Sequence, residues 1–547
     1  MRPGFYLLLL ICLVTSTLKA QQIPPAVNKW LSTELEKGRN KKLLKDYTSD
    51  AFFSKDSGRI VGYIKGYDTT LKFTSGVIYM ENIVTREDYP TVVPVHPDGR
   101  FEVGLKMMHP QWLMILFDRK YWLPVYIEPG QVVSMVFDWQ LLAKKGDGDT
   151  EFKRSVLFGG PAAQINRELS SIDLDKPDYD VLNKQVKTLT PDAFKVATQT
   201  HWDKARKKLE LQLSGKKYQE HTKTILRNEI DLYFAIILLD YIMNRDYQRA
   251  KDTANKVLAI TESIEFYDFL VKNNFDRQEL FLSNNFSTFV NRLEFSKPYR
   301  ESISIRVKKD PDTEMAKFSP QIVSLLRPWQ IADTLLPNKY GITTGFLFEL
   351  CKARSLKQLF GNAHLFRDKK DDARIYLTAL SNGMNHPFLL RETEELFQRS
   401  YSSTGKTYTL PDNRSAAIFK SIIDRHKGKL LFVDFWATTC GPCIANIKAQ
   451  KELRSKYRNN PDFDFIFITS ENESPEKAYE KFIAEQHLTN TYRINADNYL
   501  ALRELFKFNG IPRYVLIDKE GKVLDDDFEM YNFQFELSKL FPGKQWK

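Results

Sequence analysis

The chain has 547 residues, 42% of them apolar and 27% charged, with 24 glycines and 24 prolines. This usage excludes fibrous and disordered classes, and at about 150 residues per domain the length predicts three or four domains that need no disulfide framework. The net charge of +11 is mild, and basic runs such as Lys204-Ala205-Arg206-Lys207-Lys208 have acids interleaved nearby, so they read as solvated helix faces and no nucleic-acid partner is expected.

The first twenty residues read as a signal peptide. Arg2 supplies a basic start, Phe5 to Val14 is an apolar run too short to span a bilayer, and cleavage is placed near Ala20. Cys12 follows Ile11 and not a small residue, so no lipoprotein anchor is expected. The most apolar later stretch, Phe234 to Leu239, is short and flanked by Asp231 and Asp240. The mature protein is therefore expected to be exported, periplasmic and soluble. Removal of Cys12 leaves Cys351, Cys440 and Cys443, too few for a stapled secreted chain.

Residues 21–55 read as an N-terminal arm with one helix around Val27 to Leu35. From Gly58 the pattern changes to short runs of β-branched and aromatic residues: Arg59 to Ile64, Val77 to Tyr79, Phe101 to Val103, Trp112 to Leu116, Trp122 to Ile127 and Val132 to Phe137. Asp98-Gly99 and Pro129-Gly130 punctuate them as turns. The expected architecture is multidomain: an antiparallel β-sandwich over 56–158, a mostly α-helical middle domain over 159–404 and an α/β domain over 405–547. Gly159-Gly160-Pro161 ends the strands, and Ile225, Ile230, Phe234, Ile237, Leu238 and Tyr241 then recur at helical spacing. Tyr376, Leu380, Phe388 and Leu389 suggest further helix. This middle region carries no recognisable chemistry.

The third part opens with Lys429 to Trp436, an apolar run suited to a strand buried on both faces. A helix is expected from Cys440 to Tyr457, a strand from Phe463 to Ile468, and a helix from Ser474-Pro475 to Gln486 with the serine as cap. A further helix over Asp497 to Phe508 and a hairpin of Tyr514 to Asp518 with Val523-Leu524 complete the order.

Cys440-Gly441-Pro442-Cys443 follows the strand and opens the helix. Free N–H groups and partial positive charge at a helix start favour a thiolate on Cys440. Cys443, one turn deeper, is spaced to resolve a mixed disulfide on Cys440. A zinc site needs two more ligands, which the scattered histidines do not supply, so no metal is expected. A structural disulfide closing so short a loop removes little chain entropy.

Residues 405–547 resemble the thioredoxin superfamily, and most closely its exported TlpA/ResA-like branch. The motifs that carry the resemblance are Val433-Asp434-Phe435-Trp436-Ala437, Cys440-Gly441-Pro442-Cys443 and Gly510-Ile511-Pro512 before Tyr514-Val515-Leu516-Ile517-Asp518. The whole layout also resembles long exported redoxin proteins of Bacteroidota with an N-terminal β-domain of unknown function, on the weaker signals Asp98-Gly99-Arg100-Phe101 and Glu128-Pro129-Gly130.

The resemblance implies a thiol–disulfide oxidoreductase. Cys440 is its nucleophile, Cys443 its resolving thiol, Asp434 a buried acid that takes the Cys443 proton, and Pro512 a cis-proline facing the pair. A strand-end Asp434 paired with Lys429 is the structural alternative. Ile511, Trp436, Gly441, Pro442 and Arg513 are the candidate substrate-contacting residues; Trp436 reads equally well as a core aromatic. No cofactor beyond the redox-active disulfide is implied. Protein disulfides are the implied substrates, and a membrane thiol electron donor follows from reduction in an oxidising compartment.

The sequence departs from the family pattern at Asn446, where an acid is frequent, at Lys448, where a proline is usual, at Thr439 and at Arg513. Arg513 is expected to add positive charge near Cys440. Two other classes stand beside the oxidoreductase. A thiol peroxidase needs a Pro-x-x-x-Thr-x-x-Cys frame, and here those positions hold Val433 and Ala437. A cell-envelope binding or scaffold protein would use residues 21–400 to hold a partner, to pair with a second copy as a homodimer or to cover the site.

Overall fold

The structure is a computed structural model and describes residues 23–38, 41–304, 315–362, 364–402, 407–530 and 533–544. The expected signal peptide lies outside these residues. The arm forms the helix Pro25–Lys37, with proline in its first turn. Its Val27 and Leu31 pack on Val61, Val132 and Val136 of the sheet beneath.

Eight strands follow: β1 (Asp56–Lys65), β2 (Ser75–Asn82), β3 (Glu87–Pro94), β4 (Arg100–Met107), β5 (Gln111–Phe117), β6 (Tyr121–Ile127), β7 (Val132–Asp138) and β8 (Leu157–Gly159). They form two four-stranded sheets, β4-β1-β7-β8 and β3-β2-β5-β6. The expected all-antiparallel pattern is corrected in one pair: β1 and β7 run parallel, Arg59 opposite Val132. The long connection through the second sheet brings β7 back beside β1 in the same direction. Strand β3 was not expected, because Pro90 and Pro94 break its run; it is an edge strand, where proline is tolerated. At Gly62 a Cβ would sit 2.0 Å from the Phe101 ring, so the two strands close only over glycine.

One apolar core runs without a break from these sheets into the helices, from Tyr47 to Leu389. Its helical axis is Glu220–Lys251, whose Ile225, Leu226, Ile230, Phe234, Leu238 and Tyr241 are buried. A second cluster gathers Ile322, Leu356, Tyr376 and Phe397. Arg354, 1% exposed, ties helix Phe346–Gly361 to the β-unit. Its Nε donates to Glu294 at 2.9 Å, its Nη1 to the Ile83 carbonyl, and Glu81 on β2 lies 3.7 Å away.

The last unit has a five-stranded sheet, β11-β10-β9-β12-β13, of β9 (Leu430–Phe435), β10 (Phe463–Ser470), β11 (Thr491–Ile494), β12 (Arg513–Ile517) and β13 (Val523–Asp525). Central β9 is buried at every residue, parallel to β10 and antiparallel to β12. Helices Arg414–Ile423 and Ala496–Leu505 cover one face, and Phe533–Leu540 covers the other. Three sequence expectations change. The helix after the cysteines breaks at Gln450 into Gly441–Ala449 and Lys451–Lys456. Strand β11 was missed, being only four residues long and half-buried. Ser474 does not cap its helix: it is fully buried, accepts the Thr438 N–H at 2.9 Å and shares a 2.7 Å bond with Thr469.

This unit docks on the edge of the second sheet. The Val92 N–H of β3 donates to Glu504 at 3.0 Å, and the Thr74 N–H and hydroxyl both donate to Asp497 at 2.8 Å. Asn509 donates to Asp88 at 2.7 Å.

Replacing Arg354 by methionine strips the Ile83 carbonyl of its donor and leaves Glu294 with Arg86 alone, at 2.6 Å. The expected loss is about 1–3 kcal/mol of unfolding free energy in the β-helical unit. A denaturant titration that finds a change below about 1 kcal/mol would show that this ion pair does not join the two layers.

Candidate active site

Strand β9 ends at Phe435, and the chain turns through Thr438-Thr439 before the helix Gly441–Ala449. Both threonine hydroxyls donate to the Glu473 carbonyl, at 3.3 and 3.1 Å, which pins the turn. Cys440 occupies the N-cap position, and its Sγ accepts the Cys443 N–H at 3.1 Å. The two cysteines form a disulfide with Cα atoms 5.3 Å apart. Their surroundings differ sharply: Cys440 is half-buried, whereas Cys443 is 1% exposed. A sulfur reachable from outside and a sulfur shielded within follow from one turn of helix.

The Ile511–Pro512 peptide bond is cis. The Ile511 carbonyl oxygen lies 3.7 Å from Cys440 Sγ, and Ile511 and Pro512 are both partly open. Gly441 and Pro442 are exposed beside the cysteines. Thus the nucleophile, the residue before the cis-proline and the exposed Gly-Pro turn share one surface.

Asp434 lies beneath it. It stands opposite Phe467 on β10 and Tyr514 on β12, is 4% exposed, and its Oδ1 has no hydrogen-bond partner. Burial pushes its carboxyl up to about 8, and the attraction of Arg454 offsets part of that. Arg454 is itself lowered to about 10 by burial, and its Nη1 donates to the Ile447 carbonyl at 2.6 Å. Sequence reasoning missed Arg454. Arg454 lies in the short helix beyond the break at Gln450, and no spacing in the sequence ties it to Asp434. The alternative pairing of Asp434 with Lys429 is not made: Lys429 binds Asp464 at 3.2 Å. Asn446, where the family pattern favours an acid, donates its amide to the Tyr514 hydroxyl. The buried carboxyl of this unit is therefore on β9, and the helix position holds an amide.

Two expected substrate contacts are corrected. Trp436 is fully buried, with its ring against Phe482 at 5.3 Å and Tyr479 at 6.1 Å, in the cluster that includes Cys443. It backs the disulfide and has no face toward a substrate. Arg513 does not bring charge to Cys440. Its guanidinium is taken by Asp527 at 2.5 Å and Asp526 at 3.7 Å, on the side of the strand toward β13. Cys351 is in the helical core, 1% exposed, and burial pushes its thiol well up.

The Redoxin family matches residues 416–531. A thiol-disulfide oxidoreductase ResA of Bacillus cereus is 28% identical over 99 residues, which is 18% of this chain and 54% of that protein. The probable nucleoredoxin 1 of Arabidopsis thaliana is 24% identical over 105 residues, 19% of this chain and 18% of that one. The chain thus spans about half the length of the ResA relatives it matches. Among solved structures, the thioredoxin domain of a thiol-disulfide oxidoreductase from Bacteroides vulgatus is 21% identical, covers 22% of this chain and 83% of that chain, and has a TM-score of 0.20. No helix among the described residues is long and apolar enough to cross a membrane. The family match falls on the unit that holds the cysteine pair. Over residues 416–531 the C-terminal unit of this chain matches the Redoxin family, and it is similar to the ResA thiol-disulfide oxidoreductases.

Proposed function

We propose that the protein is an exported thiol–disulfide oxidoreductase that reduces disulfides in other proteins. The observation that carries this reading is the asymmetry of the pair: Cys440 half-buried beside Ile511, Cys443 buried in the domain that holds Asp434. In the reduced enzyme the Cys440 thiolate attacks one sulfur of the substrate disulfide. The substrate S–S bond breaks, a Cys440–substrate bond forms, and the first substrate thiolate leaves and takes a proton. Cys443 gives its proton to the Asp434 carboxylate and attacks Cys440 Sγ. The Cys440–Cys443 bond forms and the second substrate thiol is released. Two electrons pass from enzyme to substrate; the first leaving thiolate takes its proton from solvent, to which Cys440 had released one, the second takes the Cys443 proton back from Asp434, and a membrane dithiol donor restores the enzyme by the reverse exchange.

The Ile511 backbone supports the docking of a substrate strand next to Cys440, and Gly441 and Pro442 complete that surface. Trp436 and Arg513 act behind it, as packing and as a strand-end ion pair.

A Cys443→Ser variant is expected to accumulate mixed disulfides with its substrates, and Cys440→Ser to form none; equal trapping by both would sink the assignment of roles. Equilibration of the full chain in graded thiol buffers should place the pair near about −270 mV, as for a reductase. A value near about −120 mV would reverse the direction of transfer.

Asp434 gives a pH-dependent prediction. Its folded pKa of about 8 lies above the ordinary value of 3.8 that it regains on unfolding. Below about pH 4 both states hold the proton and burial costs little. As pH rises toward 8 the unfolded state loses its proton first, so the native state is penalised by about 1.4 kcal/mol per pH unit. Asp434→Asn in the oxidised protein should therefore raise the melting temperature little near pH 4 and progressively more up to pH 8. The same variant should slow release of the second substrate thiol. A stability gain that does not change with pH would contradict the burial argument.

A further inference from the structure

The second sheet turns one face to the core and the other to a groove. On β5 the buried residues Leu113, Ile115 and Phe117 alternate with Trp112, Met114 and Leu116, which point the opposite way. Across the pair, Met114 stands opposite Pro124 and Leu116 opposite Trp122. The Tyr79 ring on β2 lies 6.5 Å from Trp122, which is 40% exposed. Helical residues wall this floor and leave two adjoining hollows, of about 470 and 200 Å³, with Asn284 lining both. Trp112, Met114, Trp122 and Pro124 line the larger, and Tyr79 and Asp88 the smaller.

The smaller hollow abuts the redox unit. Asp88 accepts from Asn509, which directly precedes Gly510-Ile511-Pro512. The Tyr79 hydroxyl is within the fields of Arg503 and Glu473, themselves paired at 2.6 Å. Glu473 is also the residue whose carbonyl pins Thr438 and Thr439 ahead of Cys440. The aromatic floor therefore leads toward the two segments that frame the cysteine pair. At the rim, Lys153 and Lys176 are bound to Asp173 and Glu229, while Asp88 and Asp147 accept from the neutral donors Asn509 Nδ2 and Trp122 N. The two linings together hold five carboxylates, Glu81, Asp88, Asp147, Asp173 and Glu229, against the two lysines, in a protein of net charge +11.

We infer that this groove is a substrate-binding extension of the redox site. It takes an extended, apolar segment of an unfolded or partly folded protein, with a basic residue against the acidic rim, and so presents a cystine in that segment to Cys440. The inference rests on the oxidoreductase reading above. It gives the β-unit a task in the reaction: aromatic rings and a thioether hold apolar side chains with little demand on sequence, which suits a reductase acting on many chains.

The test uses the full chain and two disulfides, insulin and the small hydroxyethyl disulfide. In Tyr79→Ala/Trp122→Ala the ratio of kcat/KM for insulin to kcat/KM for the small disulfide is expected to fall about tenfold, through KM for insulin. The single Trp122→Ala, at an exposed site that the fold does not need, should move the same ratio about threefold in the same direction. A ratio that stays within about twofold of wild type in both variants overturns the groove. Reversible dimerisation of the wild type that the double variant abolishes gives the face to a second copy and overturns it too. Wild type that turns over neither disulfide refutes the oxidoreductase reading itself, a result distinct from loss of insulin preference alone.

Discussion

The position of one helix start governs the redox site. Because Cys440 caps the helix and Cys443 lies one turn inside it, the two sulfurs share a bond yet meet different surroundings. The cap faces solvent and the free N–H groups of the first turn, which favours a thiolate. The inner position faces the end of a strand buried on every residue. That burial has a second effect. Asp434 sits in β9, shielded from solvent and with no hydrogen-bond partner at Oδ1, and so titrates far above an ordinary aspartate. The same unit that hides Cys443 raises the pKa of this carboxyl to about 8.

The protein treats its buried charges in two ways. Arg354 is surrounded by acceptors, with Glu294, Glu81 and the Ile83 carbonyl around one guanidinium, so its charge is compensated and ties a helix to a sheet. Asp434 is compensated only at a distance by Arg454, whose own donor bond goes to the Ile447 carbonyl. The incomplete pairing of Asp434 is what keeps its pKa raised, and its burial is a cost to stability.

Much of the redox unit was legible because its signals are local. The apolar run of β9, the Cys-x-x-Cys at a strand-to-helix turn and the Ile511-Pro512 step each declare themselves within a few residues. What escaped depends on partners distant in sequence. Arg513 looked free to act on Cys440 until Asp526 and Asp527, beyond the next turn, were seen to hold it. Ser474 had the form of a helix cap, but the Thr438 N–H, 36 residues away, claims its hydroxyl. Trp436 was readable as an aromatic near the pair, and only the packing of Tyr479 and Phe482 decides that it lies beneath and not outside. The contact of Asp88 with Asn509 spans 421 residues, and no periodicity or motif in either segment announces it.

That contact belongs to a wider constraint. An edge strand such as β3 leaves N–H groups open to pairing with other chains. Here Pro90 and Pro94 remove two of those donors, and Glu504 of the redox unit accepts a third, from Val92. The carboxyl of Glu504 is half-buried at this junction, and that burial drives it upward. Separating the units would bare both the strand edge and a carboxylate that had lost its donor. The docking thus protects the β-unit from edge-to-edge pairing and, by the same bonds, fixes the direction in which Cys440 faces. An exposed sheet edge and an orientation for the redox pair are solved by a single helix, Ala496–Leu505, laid across β3.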